Sequence, residues 1–236
     1  MLTNSMTDSI TPSCLILQQC DTTPPGFVST WLKMKTEQKA EKFQPTWTLK
    51  KTTEINDWDK FVDFTHVVLL GGAMNIGEEK LHSWLLDEYR WVEALLKKNV
   101  KFLGLCLGSQ ILAHVLGARV YEQNHWEVGF HKVEFKEGSS HIFFHWHKFA
   151  SELPKNAQLI ASSRATPVQA FKYTDQILAY QFHPEAEVEW VISCLQDPIP
   201  LGPFSQTQEQ MISFYPELPK IHQWFQPHLE DFFTKP

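Results

Sequence analysis

The sequence predicts an α/β fold with a parallel sheet, because buried strand patterns alternate with helical patterns in its first half. The β-branched apolar run His66–Leu70 is followed by two glycines and is typical of a strand buried on both faces. Residues Trp84–Lys98 repeat apolar side chains at helical spacing, and Lys101–Leu105 and Ser109–Leu116 follow as a strand and a helix. This alternation predicts right-handed crossovers between parallel strands.

Further candidate elements precede these in the chain. Residues Ser13–Gln19 form a short apolar run, which predicts a first buried strand. Apolar side chains from Phe27 to Met34 recur at helical spacing and predict a first helix. Residues Thr46–Leu49 are a candidate second strand, whereas Asp57–Phe64 shows no pattern that indicates one element.

After Arg119 the pattern changes to closely spaced strands, which is typical of an antiparallel meander. The predicted strands are Val128–Phe135, His141–Trp146, Leu159–Ser162, Val168–Tyr173 and Ile177–Phe182. Helical patterns follow at Val188–Leu195, Thr207–Phe214 and Pro219–Phe233. A Pro-rich connector, Asp197–Pro203, precedes the last two helices. We therefore predict one domain at residues 1–196 and a helical extension at residues 197–236 that packs on the same domain.

Composition limits the classes of function. The 236 residues are 43% hydrophobic with a net charge of -6, so a large core is expected, and nucleic-acid and membrane partners are not. The four cysteines show neither CxxC pairing nor zinc-site spacing, so no metal and no cofactor is predicted. Residues Met1–Pro12 lack a signal-peptide pattern, and no apolar run is long enough to span a bilayer. A cytoplasmic protein with free thiols is expected.

The sharpest motif is Gly104-x-Cys106-x-Gly108, which stands between a predicted strand and a predicted helix. This is the pattern of a nucleophile elbow with Cys in the place of Ser, in which small flanking residues permit a strained turn. A helix N-terminus favours the thiolate of Cys106, and the backbone N–H of Leu107 is placed to bind an oxyanion. The alternative is a small buried cysteine in an ordinary turn.

A second motif, Tyr180–Glu185, supplies a candidate base and a partner for it. An apolar strand leads to His183, Pro184 ends the strand, and Glu185 is close enough in sequence to bond the imidazole. A thiol nucleophile needs a base, and the base needs a group that orients it. Taken alone, His183 would be a surface histidine at a strand end, but its pairing with the elbow favours catalysis.

The motifs GLCLGSQ, QFHPE, LGGAM, FFHWH and LIASSRATPVQAF together resemble the class I glutamine amidotransferases, in particular the free-standing GMP-synthase-like members. The resemblance implies a three-layer α/β/α, flavodoxin-like fold with a mainly parallel central sheet and added C-terminal helices. It also implies a Cys106, His183, Glu185 triad. Gly71 or Gly72 would supply an oxyanion N–H beside that of Leu107, and Gln110 would help to hold the substrate. The alternative for Gln110 is an exposed helix residue.

Two departures from the pattern bear on the substrate. Phe149 stands where this subgroup usually has Asp, and the segment before His141 is short. We expect both to lie near the mouth of the substrate pocket. His145 and His147 alternate along a predicted strand and face one side, where His141 and His131 could join them in a zinc site. Because no ligand set has a known spacing, the favoured interpretation is polar residues at the pocket rim.

The expected activity is cleavage of a γ-glutamyl amide, either glutamine or a γ-glutamyl conjugate, through a thioester on Cys106. Three alternatives remain: a γ-glutamyl peptidase, a glutaminase subunit that gives ammonia to a separate synthetase, and a non-catalytic binding protein of the same fold. The sequence contains no phosphate-binding loop of a synthetase. We expect a small γ-glutamyl substrate. If the chain is a glutaminase subunit, a separate synthetase or acceptor is expected as its partner.

Overall fold

Three buried, mainly apolar strands and one exposed edge strand build the parallel part of the sheet. The computed structural model describes residues 11–37 and 44–235. The strands are β1 (Ser13–Gln18), β2 (Thr46–Lys51), β3 (His66–Leu69) and β4 (Lys101–Leu105). They pair in parallel in the order β2-β1-β3-β4, and every residue of β3 is buried. Burial on both faces explains the continuous apolar runs, as predicted.

Antiparallel pairing joins the next five strands, and this part of the sheet meets the parallel part at β4. Its strands are β5 (Val120–Phe135), β6 (Ser140–Ser151), β7 (Gln158–Ser162), β8 (Ala170–Tyr173) and β9 (Ile177–Tyr180). The order is β5-β7-β8-β9-β4, with β6 paired to β5, and β9 lies parallel to β4. The predicted meander is confirmed. The last strand of the meander therefore ends beside the strand that carries Cys106.

Helices cover both faces of the sheet, which gives the three layers. They are α1 (Gly26–Glu37), α2 (Trp84–Leu96), α3 (Leu107–Val115), α4 (Val188–Cys194), α5 (Gln208–Ser213) and α6 (Leu218–Thr234). Helices α2 and α3 pack on the face that carries Leu15, Val67 and Phe102. Helices α1, α4 and α6 pack on the opposite face, and none of the described helices is long and apolar enough to cross a membrane.

Helix α6 contributes directly to the core of the sheet. Ile221, Phe225, Leu229 and Phe233 are buried on one side of it, at the spacing of a helix face. The ring of Phe233 stacks on Trp31 of α1, with ring centroids 5.3 Å apart. The C-terminal segment thus shares a hydrophobic cluster with the strands.

Several boundaries differ from the prediction for physical reasons. The strand predicted at Val128–Phe135 begins at Val120, since exposed polar residues such as Glu122 pair with β6 although they carry no apolar pattern. The strand predicted to end at Phe182 ends at Tyr180, and His183 instead forms an isolated bridge with Phe144. A two-residue strand β10 (Phe204–Ser205) pairs with β5, and a 3₁₀ helix spans Trp58–Phe61; neither was predicted. The signal-peptide prediction concerns residues 1–12, of which 1–10 lie outside the described residues.

Candidate active site

The parallel strands place several motifs at one edge of the sheet. Strands β1, β3, β4 and β9 run in the same direction, so their carboxyl ends meet there. The loop at Gly71 follows β3, Cys106 follows β4 and His183 follows β9. Ligand sites of open α/β sheets lie at this edge.

Cys106 stands on a strained turn between β4 and α3. Its backbone φ is 49° and its ψ is -107°, a conformation that non-glycine residues seldom adopt. Its N–H donates to the carbonyl oxygen of Tyr180 at 2.8 Å, which fixes the turn against β9. The side chain is 6% exposed and lines a cavity at the sheet edge. A strained, accessible cysteine at a helix N-terminus has the placement of a nucleophile.

The two elbow glycines are required by close packing around this turn. A Cβ on Gly108 would lie 2.1 Å from the carbonyl oxygen of Leu69, and one on Gly104 would lie 2.7 Å from that of Gly108. Both contacts are with backbone, which cannot move aside as a flexible side chain could. The predicted reason for small residues on either side of Cys106 is therefore found in the structure.

His183 and Glu185 form a buried pair next to Cys106. Nδ1 of His183 donates to Oε1 of Glu185 at 2.7 Å, and both side chains are almost fully buried. The ring of Trp190 stands edge-on to the imidazole at 4.7 Å, and its indole N–H donates to the carbonyl of Thr22. These contacts hold the imidazole in one orientation. Sequence reasoning did not find Trp190, because a single Trp on a short helix carries no recognisable pattern.

The electrostatics of this pair favour a protonated imidazole. Burial alone would lower the pKa of His183, but the Glu185 carboxylate and the Cys106 sulfur outweigh it and raise the pKa to about 10. His183 therefore carries a proton at neutral pH and faces the sulfur as a cation. Such a pair can stabilise a thiolate and then give the proton to a leaving group.

The Gly71-Gly72 loop passes very close to these residues. A Cβ on Gly71 would lie 2.9 Å from Cε1 of His183 and 3.4 Å from Cβ of Cys106. A Cβ on Gly72 would lie 2.9 Å from Cδ2 of Leu107, the first residue of α3. The first N–H groups of a helix have no intrahelical acceptor, so that of Leu107 points out of the helix end. Gly72 and Leu107 thus line the cavity together with Cys106, and Gly71 lies against His183 and Cys106.

Gln110 is buried rather than exposed, so the alternative interpretation of it is wrong. It is 2% exposed and lines the cavity that contains Cys106. Its amide donates to the carbonyl oxygen of Phe149 at 3.0 Å and to Oε1 of Gln181 at 3.1 Å. The amide of Gln181 in turn lies 3.6 Å from Sγ of Cys106. Gln181 stands two residues before His183 in the second motif but was not predicted as a site residue.

The cavity has a volume of about 880 Å³ and is much larger than one amino acid requires. Aromatic and charged side chains are among its lining residues, which include Trp126, Trp146, Lys148, Phe149 and Glu122. The prediction that Phe149 lies near the substrate mouth agrees with this lining. The cavity therefore has room for groups beyond a γ-glutamyl moiety.

The prediction for the short segment before His141 is wrong. Residues 136–139 form the tip of the β5–β6 hairpin, and none of residues 136–141 is among the described residues that line the Cys106 cavity. Glu127 pairs with His147 near the cavity, whereas Glu134 pairs with Ser140 at the tip. Seven residues of strand separate these pairs, or roughly 20 Å at the usual rise. The long strands carry the tip away from the site.

The prediction that His145 and His147 are polar residues at the pocket rim is confirmed for His147 and wrong for His145. His147 lines the cavity, but His145 is fully buried and is not at its rim. Together with buried Glu127, they form a group whose ligand atoms all lie within 4.8 Å of one another. These three are the side chains in the described part of the chain that could hold a metal ion.

Comparison with known proteins identifies the class to which this fold and site belong. The family described as glutamine amidotransferase class-I matches residues 33–189. The chain therefore belongs to the class I glutamine amidotransferase family, which confirms the resemblance.

Curated relatives and a solved structure agree with this family. Anthranilate synthase component 2 of Helicobacter pylori is 37% identical over 39% of this chain and 53% of its own length. The glutamine-hydrolyzing GMP synthase subunit of Thermoplasma acidophilum is 38% identical over 51% of this chain and 63% of its own. A glutamine amidotransferase from Thermotoga maritima superimposes with a TM-score of 0.79 at 25% identity, covering 95% of this chain and 99% of that one. The matches thus span about half to two thirds of the curated relatives.

Proposed function

We propose that the chain hydrolyses γ-glutamyl amides, with Cys106 as the nucleophile, His183 as the acid and base, and Glu185 as the group that orients His183. One observation carries the proposal: a strained cysteine meets a buried His–Glu pair, bonded at 2.7 Å, at the carboxyl edge of a parallel sheet. Each of these features costs free energy, and together they match the needs of a thiol nucleophile.

In the first step, Sγ of Cys106 adds to the γ-carbonyl carbon of the substrate. The negative charge moves to the carbonyl oxygen, which the N–H groups of Leu107 and of Gly71 or Gly72 stabilise. The carbon–nitrogen bond then breaks as His183 gives its proton to the leaving nitrogen. The products are a γ-glutamyl thioester on Cys106 and ammonia or an amine.

In the second step, neutral His183 accepts a proton from water as the water adds to the thioester carbon. The carbon–sulfur bond breaks, glutamate leaves and the Cys106 thiolate is restored beside protonated His183. An amine in the place of water would receive the glutamyl group instead. Gln110 and Gln181 would hold the polar groups of the substrate near the sulfur.

Two classes of substrate are each favoured by a specific observation. The volume of the cavity, about 880 Å³, favours a γ-glutamyl conjugate whose second part contacts the aromatic side chains of the lining. The names of the relatives, an anthranilate synthase component 2 and a glutamine-hydrolyzing part of GMP synthase, favour glutamine and delivery of ammonia to a separate synthetase.

The decisive experiment measures glutamate released from glutamine and, separately, from a γ-glutamyl dipeptide. The wild type is compared with Cys106→Ala and with Cys194→Ala, a control because Cys194 lines the same cavity but lies outside the strained turn. Cys106→Ala should lower turnover by about 10⁴-fold or more, whereas Cys194→Ala should leave it near the wild-type value. A covalent adduct on wild-type Cys106 should form with a glutamine-like diazoketone.

The outcomes separate the alternatives. Turnover of the dipeptide but not of glutamine indicates a γ-glutamyl peptidase, and turnover of glutamine indicates a glutaminase. Turnover of neither substrate, with a full adduct on Cys106, indicates a protein that needs its synthetase for activity. If Cys106 stays unlabelled and neither substrate is cleaved, the catalytic proposal fails and a binding protein remains.

A further inference from the structure

A second group of chemically demanding side chains lies beside the cavity, outside the proposed triad. Glu127 on β5 stands directly opposite His147 on β6, and His145 precedes His147 by two residues on the same strand. Side chains two residues apart share a face of a sheet, so all three point to one side. Their ligand atoms lie within 4.8 Å of one another, and all three side chains are buried.

Three of the four imidazole nitrogens of this group are left without hydrogen bonds. Both ring nitrogens of His145 and Nε2 of His147 are buried and have no hydrogen-bond partner. Nε2 of His147 lies 3.3 Å from Oε2 of Glu127, and Nδ1 of His145 lies 3.8 Å from Oε1. Buried polar atoms are rarely left in this state, because the loss of water costs free energy.

A proton on an imidazole does not account for the arrangement. Nδ1 of His147 donates to the carbonyl oxygen of Phe149 at 3.0 Å, so in the neutral ring Nε2 presents a lone pair to the carboxylate. A second proton on His147 would relieve that contact but would leave both nitrogens of His145 unpaired.

The surroundings of Glu127 hold its carboxylate in place. Ser163 donates to Oε1 at 3.1 Å, and Thr166 and Gln169 donate to Oε2 at 2.7 and 2.8 Å. Ligating carboxylates are commonly held by hydrogen bonds of this kind, and ligating histidines commonly donate their other N–H to a backbone carbonyl, as His147 does. Ser163, Thr166 and Gln169 belong to the motif LIASSRATPVQAF, and His145 and His147 belong to FFHWH. Side chains of both motifs therefore lie around the same buried carboxylate, that of Glu127.

We propose that Glu127, His145 and His147 bind a divalent transition-metal ion, for which zinc is the best chemical match. Two imidazoles and a carboxylate are ligands that zinc accepts, with a fourth position for water. Bonds of about 2.0–2.2 Å to one ion place neighbouring ligand atoms about 3.3–3.6 Å apart. The observed separations are 3.3 and 3.8 Å to the two carboxylate oxygens, and no pair of ligand atoms is more than 4.8 Å apart, so the side chains would have to rotate toward one point to share an ion.

The ion would not contact the substrate. It would affect the proposed active site by fixing the position of neighbouring residues. It would fix the end of β6, where the Phe149 carbonyl oxygen accepts a bond from His147 and another from Gln110. Gln110 in turn bonds Gln181, next to the sulfur of Cys106. The alternative ligands considered from the sequence are less suited, since Nε2 of His131 is already bonded to the carbonyl of Val128.

The test uses the full chain, purified without a polyhistidine tag, incubated with zinc and dialysed. Elemental analysis by plasma mass spectrometry should find about one zinc per chain, and competition with a chromogenic chelator gives the affinity. His145→Gln and Glu127→Gln should weaken zinc binding by at least about tenfold. His131→Gln, a neighbouring histidine outside the group, and Cys106→Ala should bind as the wild type does.

The outcomes are independent of whether the chain hydrolyses γ-glutamyl amides, since Cys106→Ala is expected to be inactive and still bind zinc. A wild type that retains no zinc, or equal affinity in His145→Gln, overturns the proposal. Loss of zinc in Cys106→Ala also overturns it, because the thiol would then be the ligand. If the buried variants do not fold, the wild type is loaded with cobalt and its visible spectrum is recorded. Bands of nitrogen and oxygen ligands without a thiolate charge-transfer band support the site. If no cobalt binds, the proposal is overturned.

Discussion

The backbone of Cys106 is held in a costly conformation by its neighbours. A positive φ at a non-glycine residue costs about 1–3 kcal/mol and persists only where the surroundings enforce it. The bond from the Cys106 N–H to Tyr180 and the close packing of Gly104 and Gly108 supply that enforcement. The reactive position is thus maintained by the two strands beneath it and does not depend on a substrate.

Glu185→Gln should lower turnover by at least about 100-fold while the fold is kept. An amide in the place of the carboxylate removes the charge that raises the pKa of His183, so His183 should lose its proton at a lower pH. The alkaline limb of the pH–rate profile should therefore shift to lower pH. The control is Glu189→Gln, since Glu189 is exposed on the first turn of α4. An unchanged profile in Glu185→Gln would contradict the proposed role.

Gly71→Ala should abolish most activity with a smaller effect on stability. The added methyl group would lie 2.9 Å from the His183 ring and 3.4 Å from Cβ of Cys106, in the space that the attacked carbonyl should occupy. Gly202→Ala is a matched control, because its Cβ would meet no described atom closer than 3.6 Å. Activity and thermal unfolding of both variants are measured, and full activity in Gly71→Ala would show that this space is not used.

At the scale of single residues, the sequence was most informative where a motif forces a conformation. Cys106 and His183 stand in such motifs, and the structure places both at the same sheet edge. Glu127 was not predicted as a site residue, because an acidic residue in a strand pattern is ordinarily exposed. Its burial depends on hydrogen bonds from Ser163 and Thr166, which are distant in the sequence.

Among the elements, α6 is predicted to be essential to stability. Phe225 is fully buried in the cluster that joins α6 to the sheet, so Phe225→Ala should lower the free energy of unfolding by about 3–5 kcal/mol. Gln226→Ala, at the neighbouring exposed position, should change it by less than about 0.5 kcal/mol. Denaturant unfolding measures both. Equal effects of the two substitutions would show that residues 197–236 do not pack on the sheet as a unit.

The types of the elements could be predicted because the spacing of apolar residues and the length of each apolar run reflect which side chains are buried. Both the parallel strands and the helices after them have that signature, and their bounds differ from prediction by only a few residues. The β5–β6 hairpin was harder, since its first half alternates charged and polar residues and its length depends on pairing with β6. That length places the tip of the hairpin far from the cavity. The short segment before His141 therefore does not line the cavity.

At the scale of the whole molecule, Glu88 should make stability depend on pH. This carboxyl is fully buried, accepts a bond from Gln19, and burial raises its pKa to about 8. Between pH 4.5 and about 8 the folded chain holds a proton that the unfolded chain releases. The free energy of unfolding should therefore fall as pH rises through this range, by up to about 1.4 kcal/mol per unit.

Glu88→Gln isolates this effect, because the amide keeps the shape of the side chain and does not titrate. The stability of the variant should fall less steeply between pH 5 and pH 8 than that of the wild type. Glu93→Gln, at an exposed position of the same helix, should follow the wild-type curve. Parallel curves for the wild type and Glu88→Gln would mean that Glu88 is already ionised in the folded chain.

The insertion of β9 beside β4 has a consequence for the order of folding. Gln181 and Cys106 are 75 residues apart, and strands β5 to β9 lie between them in the chain. Closing so long a loop is slow compared with forming the local helices. A chain still emerging during synthesis therefore has its thiol but neither the imidazole nor the Tyr180 carbonyl that shapes the turn. An unfinished chain would therefore lack the proposed base beside its thiol until β9 has docked.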